Sequence, residues 1–206
     1  MAVLMTGGGV PPKVHYINYI QSNQSNGTQY IDTEYTVKSN NLKIEARFSI
    51  IEMQAWRALF GSEQTGSGPW SIAVLINGDS GLSFYSGNSE NVGSVPVSVE
   101  TVYNFSAQSN NGKLTYSCGG NSGTLTISGS MDKTRPIYLF TLNSPDSVNI
   151  TGQSTNVRLY EFRIYDDGTL VRDFKPCYDP EGVACLYDQV GKKYHYNAGF
   201  GEFTAG

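Results

Sequence analysis

The sequence predicts an all-β domain of two packed antiparallel sheets. Three observations predict it. Apolar and polar residues alternate over short stretches, turn signals separate those stretches at close spacing, and no segment keeps a helical period beyond about two turns. The one exception is a weak helical pattern over residues 52–59. The 206 residues suit one domain, and a chain of this length buries about 70% of its unfolded surface, so it needs no disulfide staples. Glycine is frequent at 23 residues, and 14 tyrosines dominate the aromatics, which suits strands joined by polar turns.

The elements follow in order. Leu42, Ile44, Ala46, Phe48 and Ile50 alternate with Lys43, Glu45, Arg47 and Ser49, the pattern of a half-buried strand. SIAVLI (71–76) and IYLFTL (137–142) are continuous apolar runs, expected where both faces are covered. Tyr103, Phe105 and Ala107 alternate, as do Leu114, Tyr116 and Cys118, and residues 124–127 form a further short strand. NGDSG (77–81), SGN (86–88), NNG (110–112) and GGNSG (119–123) supply turns. Roughly 10 to 14 strands result, enough to require a two-sheet sandwich or a barrel.

Residues 163–188, RIYDDGTLVRDFKPCYDPEGVACLYD, look like a cluster of reactive groups. Pattern gives them structural work instead. Tyr160, Phe162 and Ile164 point one way, and after the turn Leu170, Arg172 and Phe174 share a face. A two-residue Asp167-Gly168 turn would set Arg163 opposite Arg172, so a three-residue loop over 166–168 is expected, pairing Ile164 with Leu170 and Tyr160 with Phe174. Asp166 and Asp167 are then turn residues, and Arg172 on the apolar face needs a carboxylate or carbonyl partner. Residues 179–182 form a second turn. LYD (186–188), VGKKY (190–194) and YNAGFGEF (196–203) read as a short strand, a tight turn and a closing hairpin.

The net charge of −4, with only 16% charged residues, excludes the basic stripe that nucleic acid requires. No apolar run reaches 18 residues, so no membrane span is expected. Cys118, Cys177 and Cys185 are too few and too irregular for a disulfide framework or a zinc site. They read as free or buried thiols, although Cys177 and Cys185 are close enough in sequence to bridge a loop. The first residues, MAVLMTGGGVPPK, lack the basic region of a signal peptide and cannot be a core element. Residues 1–13 are expected to form an extended arm, with Val3, Leu4, Val10, Pro11 and Pro12 as its contacts to a neighbouring chain, and residues 14–206 the domain.

The stretch 159–206, LYEFRIYDDGTLVRDFKPCYDPEGVACLYDQVGKKYHYNAGFGEFTAG, resembles the C-terminal end of a family of concanavalin A-like, laminin-G-like jelly-roll domains. These occur in gut bacterial surface proteins and bacteriophage virion proteins. NGTQYIDTEYT (26–36) resembles the same family's first strand, with Glu34 where a glycine is usual and Cys185 as a second departure. The resemblance implies a jelly-roll sandwich whose C-terminal motif is scaffold. The arm lies outside the resemblance; taken with the chain's size, the lack of a signal-peptide pattern and the family's occurrence in phage particles, it leads to the expectation of a virion-surface decoration protein, held through its arm in a larger assembly and displaying a fold able to bind glycans. A bacterial cell-surface, lectin-like module is the alternative.

Candidate site residues follow from chemistry. Sugar sites combine aromatic faces with hydroxyl-binding polar groups. Trp70 beside the TGSG loop and Tyr85 before SGNSEN are the expected rim pair, with Trp56 and Tyr178 as further candidates. Asn77 and Asp79 place oxygen ligands in one turn and are a weak calcium candidate; no other cofactor is expected. Glycoside hydrolysis needs two facing carboxylates. The Glu-x-Asp-x-x-Glu string of the hydrolases on this fold does not occur, and only Asp32 and Glu34 form a close same-face pair. The two histidines, His15 and His195, sit beside tyrosines in strands. The expectation is a protein that is not an enzyme.

Overall fold

In the computed structural model, the described residues are 14–23, 28–65, 67–78, 81–88, 95–145 and 154–206. The expected arm at residues 1–13 lies outside them. The described residues contain seventeen strands and no helix; the residues of the weak helical pattern form a bend, a turn and the start of β5. The strands are β1 (His15–Tyr16), β2 (Ile20–Gln21), β3 (Ile31–Thr36), β4 (Leu42–Ile50), β5 (Ala58–Gly61) and β6 (Trp70–Asn77). They continue with β7 (Gly81–Gly87), β8 (Val95–Pro96), β9 (Val102–Asn110), β10 (Lys113–Cys118), β11 (Asn121–Thr126) and β12 (Pro136–Leu139). The chain ends with β13 (Val157–Asp166), β14 (Thr169–Tyr178), β15 (Ala184–Asp188), β16 (Lys193–His195) and β17 (Thr204–Ala205).

Two antiparallel sheets pack face to face. The larger runs β11-β10-β9-β4-β13-β14-β15-β16, with β1 on β14 and β2 between β13 and β17. The smaller runs β3-β12-β5-β6-β7-β8. Their inner faces meet around Phe60, whose ring centroid lies 5.6 Å from Phe105 and 5.0 Å from Phe162. Ile44, Phe48, Ile72, Val74, Phe84 and Phe174 complete this centre, all fully buried or nearly so. Residues of β6 and β7 are buried on both faces, as the continuous SIAVLI run requires. The IYLFTL run is strand only over its first half. Phe140 turns the chain with φ +69 and ends β12.

At one margin the sheets are tied together. The Nδ1–H of His195 on β16 donates to the Asp32 carbonyl on β3 at 3.0 Å, and Lys193 pairs with Glu34 at 2.6 Å. Glu34 has φ +53. A left-handed backbone explains why a glycine is the expected residue there.

The hairpin of β13 and β14 corrects the expected register. Asp166 pairs with Thr169, leaving a two-residue turn in which Asp167 and Gly168 both have positive φ, +49 and +77, as a type I′ turn requires. The clash foreseen between Arg163 and Arg172 is avoided lower down. After Tyr165 pairs with Leu170, Val171 is extra, so Ile164 faces Arg172 and Arg163 faces Asp173. Phe174 pairs with Phe162 rather than Tyr160. Tyr160 itself leaves the core face at a second irregularity, between Leu159 and Glu161. Its ring lies under the Arg47 guanidinium at 4.9 Å and beside Tyr19.

Arg172 has the partners its position demands. It donates to the carbonyls of Thr33 (3.0 Å) and Glu34 (3.1 Å) and lies 3.5 Å from the carboxylate of buried Asp188. Asp166 is not a plain turn residue. It is buried, and accepts from the Tyr35 hydroxyl at 2.7 Å, the Lys38 amide at 2.7 Å and both donors of Ser39. Burial opposes its ionisation, but the Ser39, Lys38 and Tyr35 donors outweigh burial and hold its pKa below the ordinary carboxylate value. Residues 196–203 form no closing hairpin; the chain returns through β17, which pairs with β2.

Candidate functional site

A surface groove of about 620 Å³ lies between the β14–β15 turn and the C-terminal segment. Tyr178, Val183, Tyr196, Glu202, Phe203 and Thr204 line it, with glycines 182, 199 and 201. No lysine or arginine is among the described residues lining it.

One wall is built by Asp179. Its Oδ1 accepts from the amides of Glu181 (3.0 Å) and Val183 (2.7 Å), and its Oδ2 from the Tyr196 hydroxyl at 3.0 Å. Gly182 takes φ +83 within this turn. Burial works against the Asp179 charge. The Val183 amide, the Tyr196 hydroxyl and Glu181 prevail and hold its pKa low. Burial first, and then the same carboxylate, push the Tyr196 phenol up to about 12. The tyrosine is thus a fixed neutral ring near pH 7.

The other wall is organised by Asn197. Its Oδ1 accepts from the amides of Tyr30 (3.1 Å) and Gly199 (2.9 Å), and its Nδ2 donates to the Gly201 carbonyl at 2.7 Å. A Cβ on Gly199 would stand 1.7 Å from the Thr28 carbonyl oxygen, so no other residue fits this approach. Phe203 anchors the segment, its ring 5.0 Å from buried Phe140. Between the two lining glycines stands Phe200, 80% exposed. The groove therefore offers half-exposed aromatic rings, backbone and hydroxyl groups, and the Glu202 carboxylate.

The expected site residues divide. Tyr178 lies in the groove, its ring 5.7 Å from His15. Trp70 and Tyr85 do meet, with ring centroids 5.3 Å apart, but they form no exposed rim pair. They are 6% and 8% exposed and pack with Ala58, Ala73, Leu75 and Leu142 in a second apolar cluster. The reason is that β6 and β7 are covered on both faces, so neither ring presents a free face. Trp56 is exposed (58%) in a turn with φ +64, its amide donating to the Ile76 carbonyl, apart from the groove. Asn77 ends β6, whereas Asp79 lies outside the described residues. No group of three potential metal-ligating side chains occurs among the described residues.

Asp32 and Glu34 are committed to each other and to the sheet margin. Asp32 Oδ1 accepts from the Glu34 amide at 2.7 Å, and Lys193 Nζ reaches both Glu34 oxygens at 2.6 and 2.7 Å. Burial raises the Asp32 pKa, while Lys193 lowers that of Glu34. Cys177 and Cys185 are directly opposite on β14 and β15, buried, with sulfurs 3.5 Å apart as free thiols.

Sequence reasoning missed Tyr196, Phe200 and Glu202. Their signal is present in YNAGFGEF, where aromatics alternate with glycines at a spacing that no strand pairing uses.

No family model and no curated protein matches the sequence. Solved structures do match. Domains LG4-5 of the mouse laminin α1 chain superpose with a TM-score of 0.55 at 13% identity, over 79% of this chain and 45% of that one. The chain thus spans under half the laminin chain's length. A native heptameric SAP-like pentraxin from Limulus polyphemus gives a TM-score of 0.48 at 13% identity, over 76% and 77% of the two chains. The fold is a laminin-G-like jelly roll. At this identity the likeness concerns architecture alone, and this jelly roll carries its groove on its own C-terminal residues.

Proposed function

We propose that this jelly roll is a non-catalytic carbohydrate-binding module, with the groove between Tyr178 and Tyr196 as its site. The observation that supports it most is the groove itself. Half-exposed tyrosine rings, Phe200 beside them, and the hydroxyl, carboxylate and backbone groups of 201–204 border one concavity of sugar-binding size. Tyrosine rings stack on the apolar faces of sugars, and the polar groups take their hydroxyls. Asp179, the acidic residue at the heart of the wall, spends both oxygens on structure, which supports a binding rather than a hydrolytic role.

A glycan array probed with the full chain tests this reading. Binding is expected, and Tyr178→Ala should weaken it about tenfold, the order of one lost aromatic contact. Trp70→Ala should act only through stability. Binding that survives loss of Tyr178 and Tyr196 together would overturn the site assignment. Release of reducing sugar from β-glucans, abolished by substituting Asp32 and Glu34, would overturn the non-catalytic assignment.

Display on a virion surface through residues 1–13 is the finer proposal, with other particle chains as partners. Deleting residues 1–12 is expected to leave a folded domain that no longer joins its particle; normal assembly without them would refute it. The reading needs no cofactor. A calcium ion at Asn77 and Asp79 would show as a melting temperature that falls with EDTA and recovers with calcium.

A further inference from the structure

The outer side of the larger sheet carries a row of tyrosines that leads out of the groove. Tyr196 lines the groove and is 45% exposed. Its ring centroid is 6.3 Å from that of Tyr194, which is 5.0 Å from Tyr187, its cross-strand partner on β15. Tyr187 is 6.5 Å from Tyr16 on β1, itself 47% exposed. Tyr16 borders a second hollow of about 250 Å³, walled also by Ile17, Tyr160, Lys175, Pro176 and Gln189. The order of strands produces this row: β1 lies on β14, β15 follows on the other side of β14, and β16 is next. A tyrosine on each of β1, β15 and β16 therefore faces the same way.

From this continuity we infer that the groove and the second hollow are two ends of one track, which takes an extended, uncharged polysaccharide chain rather than a single terminal sugar. The inference rests on the carbohydrate reading of the groove. The charges that border the second hollow are paired. Lys175 in the second hollow is paired with Glu161, and Glu161 also meets Arg163 at 3.4 Å. The Tyr16 hydroxyl accepts from Gln189 Nε2 at 3.2 Å, which fixes its ring over the sheet. The surface so formed repeats flat apolar faces and hydroxyls, and its groove end carries the acidic Asp179 and Glu202 with no lysine or arginine among the described residues lining it. That repeat matches a neutral glycan chain, whose rings present apolar faces edged with hydroxyls, and offers nothing to a polyanion.

Calorimetric titration of the full chain with laminari-, cello- and chito-oligosaccharides of two and of six residues tests it. In the series that binds, the hexasaccharide is expected to bind at least tenfold more tightly than the disaccharide. Tyr16→Ala, at the far end of the row, should cost the hexasaccharide about tenfold and leave the disaccharide unchanged. Tyr16→Phe keeps the ring and should retain the hexasaccharide affinity. Tyr187→Ser offers a second break in the row should the β1 variant fold poorly. Equal affinity for both lengths, or a hexasaccharide indifferent to Tyr16→Ala and Tyr187→Ser, would overturn the track while leaving the groove. Binding of heparin in preference to every neutral chain would overturn the uncharged ligand. No binding of any length would defeat the carbohydrate reading itself.

Discussion

At the scale of single residues, two carboxylates hold loops that the fold depends on. Asp166 gathers Tyr35, Lys38 and Ser39 onto one buried side chain. Asp166→Ala leaves those donors without an acceptor and should cost about 2–3 kcal/mol in a denaturant titration. Its pKa is lower folded than unfolded. The stability it contributes is thus complete above its unfolded value of about 3.9 and lost as pH falls through the lower folded value. Acid unfolding monitored by circular dichroism should begin at higher pH in Asp166→Ala than in the wild type. Gly199 is the matching case in the groove. Gly199→Ala drives a Cβ into the Thr28 carbonyl, and should displace the 197–201 loop and abolish glycan binding while the core still unfolds cooperatively.

At the scale of elements, the β13–β14 hairpin shows what sequence can and cannot read. The alternation and the Asp-Gly turn announce a hairpin, and the conflict between Arg163 and Arg172 announces an irregularity. Its position is not legible, because an extra residue in the loop or at Val171 relieves the conflict equally. Tertiary contacts decide. In the register with the bulge at Val171, Arg172 reaches the carbonyls of Thr33 and Glu34 and the Asp188 carboxylate. Deleting Val171 removes the extra residue and leaves Ile164 opposite Arg172 and Arg163 opposite Asp173, so the register should survive and thermal unfolding should show a loss of less than about 2 kcal/mol. Trp70 teaches a related lesson. It immediately precedes the SIAVLI run on the same strand, whose continuous apolarity already signals a strand covered on both faces, so its burial was as legible as that of Ile72.

At the scale of the whole molecule, the two-sheet architecture was legible because it repeats. Many strands report the same period, and errors in one leave the class intact. The groove was not legible, because it exists only where the β14–β15 turn and the 196–205 segment come together. Tyr178 was named for its chemistry, Tyr196 and Phe200 were not, and nothing local to either distinguishes a wall from a core. The core itself centres on Phe60, between the sheets. Phe60→Ala should cost about 3–5 kcal/mol by chemical denaturation, with both sheets unfolding together.

The central claim is that ligand enters at the C-terminal groove and not at Trp70 and Tyr85. Amide chemical-shift mapping by NMR, with a glycan chosen from the array, tests it most directly. The account predicts perturbed amides clustered at 178–184 and 196–205, spreading to Tyr16 and Tyr187 with a longer chain. Perturbations centred on Trp70, Tyr85 or Trp56, with the groove amides unmoved, would contradict it.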